Sequence, residues 1–167
     1  MRAEKVFTDR LMLRLVTRDD FKLFEQLYSN ERIMRFIGPV IQGEALQKVL
    51  CSVIKCNSLP DAEQIYYAVV TLEDNQSIGI CAVSKLSVEE QYAEIGNMLL
   101  SGAQKKGFAE EATLALGQNL AVQLGITRLT MCIDERNIPA IRAAKKIGFE
   151  RSAENVQQFY KILSLQR

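Results

Sequence analysis

Gly102, Lys105, Lys106 and Gly107 stand between an apolar run, Ile95 to Leu100, and a helical pattern that opens near Phe108. A strand that enters a helix through a basic, glycine-marked loop is equipped to hold an anion. The first helical turn leaves several N–H groups without partners, and the helix dipole adds partial positive charge at that end. Phosphate is the usual guest of such a junction. Gly107 lets the backbone approach a ligand or adopt positive φ, and Ala109 keeps the next approach small. Lys105 and Lys106 add charge at the mouth, although an ordinary turn with two solvated lysines fits the same composition.

The elements around this loop follow from periodicity. Leu11, Leu13 and Leu15 alternate with Met12, Arg14 and Val16, as in a strand with one buried face. Thr17-Arg18-Asp19-Asp20 reads as a capping box ahead of a helix whose Phe21, Phe24, Leu27 and Tyr28 share a face. After Gly38-Pro39, the spacing of Leu46, Val49, Leu50, Val53 and Ile54 predicts an amphipathic helix. Ile65 to Leu72, Ile78 to Leu86 and Tyr92 to Leu100 are β-rich runs joined by short polar turns, which predicts an antiparallel meander. The helix after the loop carries Ala112, Leu116 and Leu120 on one stripe and stops at Gly125. Arg128 to Ile133 is the next strand, and reaching it through a helix predicts a parallel, right-handed βαβ crossover. Asn137 caps a further helix with Pro139 in its first turn, and Gly148 ends it before two closing strands near Phe149 to Ser152 and Gln157 to Leu163. The expected fold is therefore mixed α/β, a mostly antiparallel sheet with one parallel crossover and helices on both faces.

The 167 residues are expected to form a single domain, residues 1–167, with no linker or repeat dividing it. Lysine plus arginine number 21 and aspartate plus glutamate 20, a net charge of +1 that gives no global reason to expect nucleic acid. Cys51, Cys56, Cys81 and Cys132 form no Cys-x-x-Cys pair and there is no histidine, so no metal site is expected and the cysteines read as reduced core residues. Charges at Arg2, Glu4, Lys5, Asp9 and Arg10 and the lack of a long apolar run point to a soluble, cytoplasmic protein away from membranes.

Gln104-Lys105-Lys106-Gly107-Phe108-Ala109 resembles the Gln/Arg-x-x-Gly-x-Gly/Ala signature of the GNAT superfamily of N-acetyltransferases. Downstream, Asn137 opening a helix that ends in Gly148-Phe149 resembles the second signature of the same superfamily. Thr8-Asp9-Arg10-Leu11-Met12-Leu13-Arg14 and Ala93-Glu94-Ile95-Gly96 resemble the branch containing ribosomal-protein N-acetyltransferases. The resemblance implies a cleft for acetyl-coenzyme A between two splayed parallel strands. Pantetheine would pair with the backbone of Met98, Leu99 and Leu100, the pyrophosphate would rest on the amides from Lys105 to Ala109 behind Gln104, and Asn137 would hold the pantetheine arm. Arg142, Lys145 and Lys146 are candidates for the nucleotide end. The implied reaction is direct attack of a neutral amine on the thioester, on a protein N-terminus, a peptide or a small molecule. Glu94 is the candidate base, acting through water, with Glu63, Glu89 and Glu90 behind it. Ile33 to Val40 would wall the acceptor pocket, and a homodimer is the assembly common among such proteins.

The chain departs from its relatives at the general acid. Ala140 and Ala144 stand where many members have serine and tyrosine, and Asn97 where the ribosomal-protein branch commonly has tyrosine. This leaves water or Tyr160 to protonate the departing thiolate, or an acetyl-coenzyme A-binding module with weakened chemistry.

Overall fold

The computed structural model describes residues 3–163. Two strands, β1 (Lys5–Phe7) and β2 (Leu11–Leu15), form an N-terminal hairpin, followed by helices α1 (Phe21–Tyr28), α2 (Glu31–Met34) and α3 (Gly43–Ser58). The meander comprises β3 (Ile65–Thr71), β4 (Ser77–Ser87) and β5 (Tyr92–Leu99). A crossover through α4 (Phe108–Leu124) leads to β6 (Arg128–Cys132), and α5 (Ile138–Lys146), β7 (Glu150–Arg151) and β8 (Gln158–Ile162) complete the chain.

The eight strands form one sheet in the order β1-β2-β3-β4-β5-β6-β8-β7. Every neighbouring pair is antiparallel except β5 and β6. The α4 face holds Leu11, Leu13, Tyr67, Ile95, Leu116, Leu120, Leu129 and Phe159, all essentially inaccessible to solvent. The opposite face packs α1 and α3 through Phe24, Leu27, Leu46, Leu50 and Val53 against Ala68, Val70 and Ile80. The mixed fold with helices on both faces is as the sequence predicts.

The entry into α1 is fixed by a buried charge. Asp20 is 3 % exposed and accepts two hydrogen bonds from the Arg14 guanidinium at 2.8 Å each, and a third from Thr17 N–H at 2.8 Å. The capping box therefore also ties the helix to β2. Sequence periodicity passes over β1, three residues long, and the single-turn α2, both too short to show a pattern. It also misplaces two cysteines: Cys81 is buried, but Cys51 and Cys132 are exposed, because each falls on the outward side of its element.

Candidate active site

Parallel pairing between β5 and β6 covers only Tyr92 with Arg128, Ala93 with Leu129 and Glu94 with Thr130. β5 continues to Leu99 and β6 to Cys132 without pairing, so the strands part into a wedge. Register decides which peptide groups line it. Leu100 N–H donates to Ile78 O on the β4 side, while Gln91 O accepts from Arg128 N–H on the β6 side. Alternation along β5 therefore turns the peptide groups of Ile95, Asn97 and Leu99 into the wedge and those of Met98 and Leu100 toward β4. Of the three residues proposed for backbone pairing, Leu99 has the right orientation, and Asn97, which the sequence reading left out of that set, shares it.

The wedge leads to the basic loop. A single 3-10 turn, Ser101–Ala103, precedes it, and Gln104 folds back so that its Nε2 donates to Leu99 O at 3.0 Å. Lys105 takes φ +63° and Gly107 φ +79°, and α4 begins at the next residue. The left-handed conformation at Gly107 is one that a β-branched residue does not tolerate. Glu110 and Glu111 lie in the first turn of α4, complementing its dipole.

Residues from the far N-terminus hold this loop in place. Arg10 donates from Nη1 to Lys106 O at 3.1 Å and from Nε to Glu111 Oε2 at 2.7 Å, and its guanidinium lies 4.6 Å from the centre of the Phe108 ring. Thr8 Oγ1 and Arg10 N–H donate to the other Glu111 oxygen at 2.5 and 3.2 Å. Burial pushes the Glu111 carboxyl up, but the bonds from Thr8 and Arg10 outweigh it and leave it below the usual value. The sequence carried this signal only as the conspicuous Thr8–Arg14 stretch, because pairing across a hundred positions leaves no local period.

Asn137 caps α5, its Oδ1 accepting from Ala140 N–H at 3.3 Å, so the helix-cap role is filled by the oxygen and the amide NH2 has no hydrogen-bond partner among the described residues. Lys146 reaches Glu110 at 3.6 Å, bringing the end of α5 against the start of α4; Arg142 and Lys145 are exposed. Ala144 is 1 % exposed, packed in the core, so no hydroxyl projects from that position.

Glu94 lies on the opposite face from α4, since its neighbours Ala93 and Ile95 point into the α4 core. It sits on the last rung before the strands part. Its carboxylate accepts from Lys85 Nζ at 2.8 Å and from Ser84 Oγ at 3.5 Å. The bond to Glu94 holds the Lys85 ammonium above its usual range; Lys85 is 66 % exposed, so water screens the pair and can part it. Register aligns Ser84, Glu94, Thr130 and Tyr160 across four strands on this face, and Tyr160 O–H donates to Glu150 at 3.4 Å. Glu63, Glu89 and Glu90 are exposed, in the connections outside β3, β4 and β5.

One rung along, Tyr66, Ala82 and Gly96 are aligned, and, its chain neighbours aside, no atom of the described residues lies within 4 Å of a Cβ built on exposed Gly96. Tyr66 O–H donates to Gln64 at 2.9 Å, and burial pushes the Tyr28 phenol up to about 12, with Tyr66 adding to the shift. Ile33 and Met34, on α2, are buried, whereas Ile37 and Val40 are 54 and 40 % exposed. Phe36 stands beneath Arg136, 5.9 Å from the guanidinium to the ring centre, which brings the α2 loop against the loop after β6. Arg136 also chelates Asp134 at 2.9 and 2.7 Å.

The wedge between parallel strands leads to a basic, glycine-containing loop at a helix N-terminus, and the model of the acetyltransferase (GNAT) domain matches residues 10–150. The chain belongs to this family and is an acyl-coenzyme A-dependent acetyltransferase with acetyl-coenzyme A as its co-substrate. It is 24 % identical over 149 residues to the uncharacterized N-acetyltransferase p20 of Bacillus licheniformis, covering 89 % of this chain and 83 % of that protein. The fold is similar to that of RimL, a ribosomal L7/L12 alpha-N-protein acetyltransferase solved with coenzyme A (TM-score 0.83, 16 % identity, 98 % of this chain and 100 % of that one). It is also similar to spermidine N-acetyltransferase from Vibrio cholerae solved with coenzyme A and spermine (TM-score 0.77, 18 % identity, 93 % and 96 % covered).

Proposed function

We propose that this acetyltransferase modifies the primary amine of a protein N-terminus or peptide. The observation that carries the reading is the open position at exposed Gly96, beside the wedge on the face of β5 that carries Glu94. An extended chain can lie there with its terminal amine directed at the wedge.

Bound acetyl-coenzyme A supplies an activated acetyl thioester. The amides from Lys105 to Ala109, in a loop held by Gln104 and Arg10, hold its pyrophosphate, and Asn97, its peptide group turned into the wedge, offers pantetheine its backbone. The side chain of Asn137, through its unused amide donors, steadies the same arm. Leu99 N–H, directed into the wedge, stabilises negative charge that develops on the acetyl oxygen. Glu94 takes the proton of the incoming ammonium through water once Lys85 swings aside. With Ala140 and Ala144 offering no hydroxyl, water protonates the thiolate, or Tyr160 does from the Glu94 face. A thiol of pKa near ~8.5 leaves tolerably even as the anion.

The small-amine reading has its own observation: Glu94, Tyr160 and Glu150 together could hold a polycation, and the spermidine acetyltransferase shares this fold. Buried Ala144 favours a third, a cofactor-binding module with weakened chemistry. Thiol release from acetyl-coenzyme A, measured against unstructured peptides with free N-termini and against polyamines, separates them. Turnover with peptides alone supports the proposal, turnover with polyamines alone replaces it, and binding without turnover leaves the module.

A further inference from the structure

Asn97 occupies the stretch of β5 that β6 has left, and its side chain lies on the α4 face beside Ile95 and Leu99. Its Nδ2 donates to Thr113 Oγ1 at 2.7 Å, and Thr113, 1 % exposed, donates in turn to Ala109 O at 2.8 Å. This chain fixes the orientation of the amide. With the Thr113 proton on Ala109 O, Thr113 Oγ1 accepts from Asn97 and the NH2 faces it. The remaining atom, Asn97 Oδ1, is buried and has no hydrogen-bond partner among the described residues.

A buried carbonyl without a donor is unfavourable, and such an atom calls for a specific reason. We propose that Asn97 Oδ1 is the acceptor for a secondary-amide N–H of the pantetheine arm, so that the wedge is polar-complete only when coenzyme A is bound. The inference rests on the acetyl-coenzyme A reading of the site. Pantetheine carries two amide N–H groups into a wedge where Leu99 O is already occupied by Gln104. Asn97, whose peptide group also faces the wedge, carries a further acceptor in its side chain on the α4 side of the same strand. Oδ1 is sealed from solvent, so the wedge parts slightly as the arm enters. The Thr113–Ala109 link places the same side chain in register with the first turn of α4, and so joins the pantetheine channel to the pyrophosphate cradle.

The test is calorimetric titration of wild type, Asn97→Leu and Asn97→Ala with two ligands: coenzyme A and its phosphorylated ADP half, which lacks pantetheine. The expected result is that both variants bind coenzyme A about tenfold more weakly, the relief of one orphaned group, while the nucleotide half binds as to wild type. Without ligand, Asn97→Leu should melt at or above the wild-type temperature, since the orphan is gone. Unchanged coenzyme A affinity would overturn the assignment and leave a buried water as the partner of Oδ1. Equal weakening of both ligands would overturn it too, assigning Asn97 to positioning α4. If wild type binds neither ligand, the functional reading itself fails and this inference with it.

Discussion

The loop that opens α4 and the face that carries Glu94 flank the same wedge, yet they are fastened in different ways. Around the loop, Thr8 and Arg10 meet Lys106, Phe108 and Glu111, and Gln104 returns to Leu99. On the Glu94 face the carboxylate has one exposed lysine, Gly96 has open space, and the α2 loop leaves Ile37 and Val40 to solvent. On the proposed reading, the cofactor common to the family meets the densely braced loop. An acceptor that differs from member to member is met by a surface whose contacts are few and local.

Four perturbations sharpen that contrast, and the largest effect falls on the sparse side. Glu94→Gln should lower turnover by ~10²-fold or more, the usual scale for losing a general base, with coenzyme A affinity nearly intact; wild-type rate and pH profile would remove Glu94 from the mechanism. Gly107→Val should weaken coenzyme A by ~10- to 100-fold, because φ +79° is strained for any β-branched residue. Far-UV circular dichroism should stay that of the wild type, and unchanged affinity would take the pyrophosphate away from this loop.

Arg10→Ala should cost ~3- to 10-fold in coenzyme A affinity, less than a buried pair would, because the Arg10 side chain is 49 % exposed and partly screened. The contrast between the regions predicts that turnover at saturating coenzyme A barely changes; a fall in that turnover with affinity intact would contradict it. The smallest effect is in pH. Glu111 titrates below its ordinary 4.5 in the folded chain, so its stabilising contribution is complete above that value and is lost as pH falls through the folded pKa. Thermal melts of wild type and Glu111→Gln should therefore differ at neutral pH and converge in acid, below about the ordinary carboxylate value. Parallel curves would mean that the carboxylate does not fasten the loop.

Local pattern made much of the architecture legible: alternation in Leu11–Leu15, three-four spacing in α3, and the stop at Gly125 were enough to place the main strands and helices and the crossover. The cradle was legible because Gln104, Gly107 and Ala109 sit within one short window. The supports of that cradle were not, since Arg10 and Glu111 or Asn97 and Thr113 are brought together only by the folded sheet. Nor could residue types show that β5 turns Leu99, and not Met98, into the wedge; that depends on register with β4. Glu94 is proposed as the base from its position in the sequence, while the lysine paired with it comes from the irregular stretch of β4 between Ser84 and Ser87, where Lys85 takes φ +49°.

Parallel calorimetric titration of the wild-type chain with acetyl-coenzyme A, coenzyme A and NAD tests the central claim most directly. The wedge and amide cradle predict saturable binding of both coenzyme A species and none of NAD. Binding of neither coenzyme A species, or of NAD alone, would contradict the account.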